Sequence, residues 1–424
     1  MDDGDPAPLD AFWDEHRISG QNNESSTQDE QPSEGYQKTR ALSTTSLQTT
    51  GTHSILPSHH PALAMPQLLH TFGPLIFPLA RAALLQKRIL ILGEAPVEAT
   101  CNYVYAISIF SSISRSIATY VPDFDRSKHY LRPLFNVGVS DISSLEALQG
   151  SWIASTTDDV LASKPHLFDM LVVLPTSSVL QKHSNKTYPK IIHSSPELSK
   201  QFPKQGLRAT QRDARRATAL KNGLQTLSSG AAQTTDRHHR GDDNASITTS
   251  STISTIFDHK DAVEPTPWPI IAYTSLIWWV SAGDRRSGLM EAEEQAKEQD
   301  EALLRDVLAG EGTTKEVAIV AYFHKLSSLI FDVLGSTIRR HEHRYRDEHD
   351  EEQEGVTDEQ ALLSTKDNGD DDVVEVTAED VGDMGLDIWS ETDRKFVEEM
   401  TRLWWKRKAT VRGGSIECCG VRIM

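Results

Sequence analysis

Three kinds of hydrophobic pattern follow one another along this chain. Residues 1–57 show little apolar spacing apart from Leu9, Phe12 and Trp13. Their Ser, Thr, Gln, Asp and Glu content predicts a disordered acidic tail, because too little surface can be buried to offset chain entropy. From His60 to Leu174 helical and strand patterns alternate. A helix is expected over 72–85. Lys87 and Arg88 then lead into Ile89, Leu90, Ile91 and Leu92, a continuous apolar run that suits a strand covered on both faces of a sheet. Gly93 and Pro96 end it. Val97, Cys101, Val104, Tyr105, Ile107 and Ser108 recur at near-helical spacing, so a crossover helix follows and completes half of a βαβ unit. Further strands are expected at 134–139, 151–155 and 168–174, with a short turn or helix in DISSLEAL between the first two.

Beyond Pro175 the chain turns basic and polar. Residues 201–220, QFPKQGLRATQRDARRATAL, are expected to form an exposed basic helix with a solvated face. Residues 236–254 read as low-complexity linker. Residues 287–308 suit a solvent-facing helix with one apolar stripe, from Leu289, Leu303, Leu304 and Val307. Thr313-x-x-Glu316 is a capping-box pattern ahead of Ile319, Phe323, Leu326, Ile330 and Val333, which share one helix face. After Arg339 an acidic run reaches Asp372, where like charges repel and favour disorder. A last helix is expected near Ser390, capped by Ser390 or Thr392, with Phe396, Val397, Met400, Leu403 and Trp404 on its apolar face.

Composition narrows the function classes. A formal net charge of −18 argues against a general nucleic-acid binder, which needs a basic face to neutralise phosphates. Asp2, Asp3 and Asp5 stand where a secretory peptide needs basic and then apolar residues, and three cysteines cannot build a disulfide framework, so a cytoplasmic protein is expected. Residues 63–92 are apolar, but His70, Arg81, Gln86, Lys87 and Arg88 and three prolines interrupt them. The apolar stretch 269–280 falls well short of the roughly 20 residues of a membrane span.

Candidate chemistry is sparse. Neither a phosphate-binding G-x-x-x-x-G-K-[ST] loop nor a G-x-G-x-x-G turn after a strand is present, nor a nucleophile elbow, so no conventional active site and no cofactor are expected. His341, His343 and His349 lie among Asp347, Glu348 and Asp350, but on a fraying helix end that cannot aim ligands, and no metal is expected there. Ser43, three residues after Arg40, is a candidate phosphorylation site for a basic-directed kinase. Cys101 is expected to be a small core residue. The C-terminus says more. Trp404, Trp405, Lys406, Arg407, Lys408 and Arg412 are candidate contacts to an anionic membrane, and the adjacent Cys418 and Cys419 are candidate lipidation sites. One acyl chain binds a membrane only marginally, so two beside basic residues would meet the two-signal requirement. Val421, fourth from the end, excludes prenylation.

The order Phe72-Gly73-Pro74, Lys87-Arg88-Ile89-Leu90 and Pro96-Val97 resembles DENN modules, in particular the LCHN type, whose fungal-like members carry a domain of unknown function in the C-terminal half. The likeness covers 62–174 and resumes over 276–286, 316–334 and 385–424. It implies a central α/β lobe followed by a helical region, with long disordered linkers and an N-terminal tail. The segments expected are a tail at 1–57, the α/β lobe at 60–175, a basic insert and linker at 176–265, a helical region at 266–339, an acidic linker at 340–384, and an amphipathic helix with a basic Cys-Cys tail at 385–424. DENN modules of known activity are guanine nucleotide exchange factors for Rab GTPases and include an N-terminal longin-like lobe, for which residues 1–57 supply no strand pattern. The resemblance therefore implies a protein peripheral on the cytosolic face of membranes that regulates a Rab-type small GTPase, as or within an exchange factor. The alternative is a non-catalytic trafficking adaptor or scaffold with a degenerate module.

Overall fold

The computed structural model of the chain describes residues 56–113, 117, 119–122, 124, 130–176, 186–194, 206–230, 261–266, 268, 271, 288–310, 313–353, 373–413, 417–418 and 421–422. A 3-10 turn at Pro61–Ala64 leads into α1 (Met65–Phe72), and a second at Gly73–Leu75 into α2 (Ile76–Leu84). Gly73 breaks the helix at φ 53, with its backbone pressed on the Tyr188 ring so that a Cβ would lie 2.6 Å from Cε1. The helix expected over 72–85 is thus the second of a pair.

Five strands form one sheet: β1 (Ile89–Leu92), β2 (Arg132–Asn136), β3 (Trp152–Thr156), β4 (Met170–Val173) and β5 (Lys190–His193), in the order β2-β3-β1-β4-β5. The first four are parallel and β5 is antiparallel to β4. Crossovers run through α3 (Glu98–Phe110), α4 (Ile142–Ala147) and the short α5 (Asp159–Ala162). β1 lies at the centre, and its continuous apolar run serves both faces. Ile89 and Ile91 join a core with α1, α2 and α3, while Leu90 joins Trp152, Ala154, Leu161 and Phe168 in a core on the other face. β2 ends earlier than the expected 134–139. Its register slips between Pro133 and Phe135, Phe135 sits at φ 55, and a 3-10 turn begins at Val139. Arg88 anchors the start of β1, its backbone N–H and guanidinium both donating to the Asp169 carboxylate, at 2.8 and 2.9 Å.

The remaining described elements are α6 (Gln211–Gly230), α7 (Gly288–Leu308), α8 (Lys315–Gln353), β6 (Val373–Val376), α9 (Ala378–Asp383), α10 (Glu391–Trp404) and β7 (Lys408–Val411), followed by the two-residue strands β8 (Glu417–Cys418) and β9 (Val421–Arg422). β6 and β7 pair in parallel. α8 ties the two apolar cores together. Phe323 stacks on Phe110 of α3 at 4.6 Å between centroids, and two turns later Phe331 meets Trp404 edge-on at 5.1 Å.

Two expectations for this region are corrected. The α8 cap is Thr314 and not Thr313: Thr314 Oγ1 accepts from Val317 N at 3.4 Å, while Thr313 Oγ1 donates back to the Gly310 carbonyl at 2.8 Å. The acidic run at 340–384 is not all linker either, since 340–353 continue α8 and 373–383 form β6 and α9. The charges there have partners: Arg340 reaches Asp380 at 2.6 Å and Glu342 reaches Arg407 at 3.2 Å. Residues 354–372, and the tail at 1–57 except its last two positions, lie outside the described residues. Pro61–Leu84 and Lys315–Arg344 are long and apolar enough to cross a membrane, yet the first is broken into four helical pieces and the apolar face of each is core.

Candidate functional site

Charged side chains from four helices and a loop converge in the interior between the sheet region and the C-terminal elements. Arg81 points inward from α2 and is 8% exposed. Its Nη1 and Nη2 donate to the two carboxylate oxygens of Asp213 on α6 at 3.0 and 2.6 Å, and its Nε lies 3.3 Å from Asp393 on α10. Thr210 and Asp213 also form a reciprocal cap on α6, each side chain accepting the other's backbone N–H at 3.1 Å. One turn along, Arg212 and Arg216 share Asp300 of α7 at 3.0 and 2.5 Å. Both arginines also donate to carbonyls at and just after the end of α9, Arg212 to Gly382 and Leu386, Arg216 to Gly385. Glu264 accepts the hydroxyls of Ser390 and Thr392 at 3.2 and 3.0 Å.

The basic helix expected to be solvated is therefore corrected: it exists as α6, but Arg212 and Arg216 are buried. A signal was present. Arg212, Arg216, Leu220 and Leu224 fall four residues apart, one stripe of α6, and all four are buried.

Burial dominates the electrostatics of this cluster. It pushes the Asp393 carboxyl up to about 7, with Arg81 pulling back and Asp213 and Asp387 adding to the rise. Burial alone would lower the Arg81 pKa, but Asp213 and Asp393 outweigh it and hold the guanidinium firmly protonated. Glu264 and Asp387 are also raised by burial, and Tyr322 is pushed up to about 12 by the same cause. A carboxyl near neutrality could act as a general acid or base. Asp393 is 1% exposed and its partners seal it, so no substrate reaches it. The cluster is a structural junction.

The carboxyl end of the parallel sheet, where α/β folds commonly hold ligands, is closed at its centre. A Cβ at Gly93 would lie 2.6 Å from Thr100 Cγ2 and 3.3 Å from Leu174 Cδ1, so side chains occupy the space that a phosphate cradle needs. Ser155 donates to the Phe135 carbonyl at 3.0 Å and lies 3.8 Å from Cys101 Sγ, which is half-buried. Among the described residues no three His, Cys, Asp or Glu side chains gather as a metal site.

The C-terminal candidates separate. Trp404 and Trp405, expected at a membrane surface, are 3% and 8% exposed. Their indole N–H groups donate to the carbonyls of Leu84 at 3.2 Å and Tyr120 at 2.8 Å, and both rings pack on Phe331. They are core because each finds both an apolar pocket and an acceptor inside. Arg407 pairs with Glu342 and Arg412 with Glu375. Lys406 and Lys408 are exposed. Cys418 pairs through its backbone with Val421 in the β8–β9 ladder. Cys419 and Ser43 lie outside the described residues, as does 276–286.

The family model for DENN domain-containing protein 11 matches residues 1–184, and that for a domain of unknown function (DUF4484) matches 263–424. Uncharacterized protein ANR2 of Saccharomyces cerevisiae is 25% identical over 87% of this chain and 60% of its own length. DENN domain-containing protein 11 of Xenopus laevis is 35% identical over 27% of this chain and 24% of its own, and the Rattus norvegicus protein of that name is 36% identical over 27% and 23%. The chain thus spans less than two thirds of the length of these relatives. No solved structure matches. The two matched regions share a core, since Phe110 and Leu84 of the first pack with Phe323 and Trp404 of the second. Residues 1–184 are thus similar to the DENN domain-containing protein 11 family, and residues 263–424 to the domain of unknown function.

Proposed function

We propose that this chain regulates a Rab-type small GTPase at a cytosolic membrane face, as or within a guanine nucleotide exchange factor. The observation that carries the reading is the match of residues 1–184 to the DENN domain-containing protein 11 family, on an α/β sheet flanked by helices. Exchange requires no acid, base or nucleophile, which suits a fold in which the near-neutral Asp393 carboxyl is sealed inside. An exchange factor works by binding the nucleotide-free GTPase better than the nucleotide-bound one, and linkage makes the effect reciprocal.

Membrane attachment is assigned to acylation of Cys418 and Cys419 beside the exposed Lys406 and Lys408. The paired tryptophans no longer contribute to it, and Arg407 and Arg412 are committed to glutamates. Anchoring raises local concentration where a lipidated GTPase sits.

The test is release of labelled GDP from a panel of Rab GTPases with the full chain on liposomes. Accelerated release from one member is expected. Binding without acceleration would replace exchange by the adaptor reading, and neither binding nor release would overturn both. For the anchor, Cys418→Ser with Cys419→Ser is expected to move the protein from membrane to soluble fractions; unchanged partitioning would refute acylation.

A further inference from the structure

A cleft of about 210 Å3 lies between the residues just before β1 and the last turns of α10, lined by Leu85, Lys87, Glu399, Arg402, Leu403 and Lys406. Three of these are cations and one is an anion, in a chain of formal charge −18. The anion is committed, with Glu399 2.7 Å from Lys87 Nζ. Arg402 is exposed, and among the described residues its guanidinium has no hydrogen-bond or ion-pair partner. Lys406 donates one ammonium proton to the Leu403 carbonyl at 2.6 Å and keeps two. Its backbone sits at φ 60 directly after α10, a position where glycine or asparagine is the usual residue, so a lysine is held there at a conformational cost.

The end of α10 accounts for part of this charge, because cations in a last turn offset the helix dipole. It does not account for all of it. One proton on Lys406 satisfies a terminal carbonyl, while the Arg402 fork remains unspent and Lys87 approaches from the sheet side. Leu85 and Leu403 add apolar walls. The lining therefore combines a free planar fork, one uncompensated point charge, the Lys87–Glu399 ion pair and an apolar side.

We propose that this cleft binds a phosphate monoester carried on a small organic or lipid headgroup. Arg402 supplies the bidentate fork, Lys406 supplies a point charge, and Leu85 and Leu403 contact the carbon framework next to the phosphate. The site stands independently of the GTPase reading and of acylation. Burial of His193 at the end of β5, with Lys87 nearby, holds its imidazole below the usual range, so it adds little positive charge behind the cleft near neutral pH.

The experiment uses the full chain carrying Cys418→Ser and Cys419→Ser, so that acylation contributes nothing. Two probes are titrated: a soluble inositol phosphate, and phosphatidylcholine vesicles containing a phosphatidylinositol monophosphate. Binding to the vesicles alone assigns the phosphate to a lipid headgroup; equal affinity for the soluble probe assigns it to a free phosphate ester. Arg402→Gln is expected to lower affinity for the bound probe by about tenfold, through loss of a charge-assisted fork. Lys406→Gln weakens binding as well. Lys297→Gln, on the exposed face of α7 and outside the cleft, leaves it unchanged. All three positions are at the surface, and matched thermal denaturation verifies folding. Failure of both probes to bind, an unaffected Arg402→Gln, or an equal loss in Lys297→Gln would overturn the proposal, the last by showing only diffuse attraction.

Discussion

Arg81 and Asp213, 132 positions apart, meet through two parallel hydrogen bonds of 3.0 and 2.6 Å, both side chains within the protein interior. The pair joins α2 to α6, and Asp393 joins it to α10. Removing one partner leaves an uncompensated buried charge, so Asp213→Ala is expected to cost about 3–5 kcal/mol of unfolding free energy. Combining it with Arg81→Met removes both charges and is expected to cost less than the sum of the single variants. Denaturant unfolding of the three variants reads this cycle; strict additivity would mean that the two side chains act independently.

Asp393 makes stability depend on pH. Burial pushes it up to about 7 in the fold, against about 3.9 in an unfolded chain. Between those values the folded chain keeps a proton that the unfolded chain has released, so stability falls as pH rises. The contribution is whole below about pH 4 and lost as pH passes about 7. Asp393→Asn cannot titrate and is expected to flatten this part of the stability profile relative to the parent. Unfolding midpoints measured across pH 4 to 8 decide it, and parallel profiles would refute the assignment.

Trp404 belongs to the core and not to a lipid surface. Trp404→Ala is expected to destabilise by about 3–5 kcal/mol through loss of a large buried ring. Trp404→Phe retains most packing and loses the bond to the Leu84 carbonyl, worth about 1 kcal/mol. Thermal unfolding in solution, without lipid, separates the two; an unaffected Trp404→Ala would return the residue to the surface.

Gly385 has a backbone only glycine adopts easily, at φ 75, and a Cβ there would lie 2.5 Å from Arg216 Nη2. Gly385→Ala therefore strains the turn and displaces the guanidinium that donates to the Gly385 carbonyl at 2.7 Å. A loss of more than about 1 kcal/mol is expected from the positive φ alone. Gly382→Ala is the control, since its nearest neighbour, Ile388, would lie at an ordinary 3.9 Å.

Much of the architecture was legible because local pattern and burial agree. Ile89 to Leu92 form the central strand, and Ser390 caps α10 by accepting the Asp393 N–H. Where they disagree, partners in space decided. Gly73 falls inside the single helix expected over 72–85, and only the Tyr188 ring packed against its backbone shows why the chain breaks there. The Arg212 stripe looks solvated because four-residue spacing shows that positions share a face, but not which way that face points. Asp300, which pairs with both arginines, lies 88 and 84 positions away.

The sequence by itself determined the strand-helix alternation, the resemblance to DENN modules and the capped C-terminal helix, since these depend on short-range spacing and on residue type. Only the tertiary structure decided that Trp404 and Trp405 face inward, that Arg81 is held between Asp213 and Asp393, and that Arg402, without a partner among the described residues, stands beside Lys87 and Lys406. The physical reason is the same for all three. An indole or a charge gains or loses free energy according to which distant group meets it, and folding, not local spacing, brings that group near.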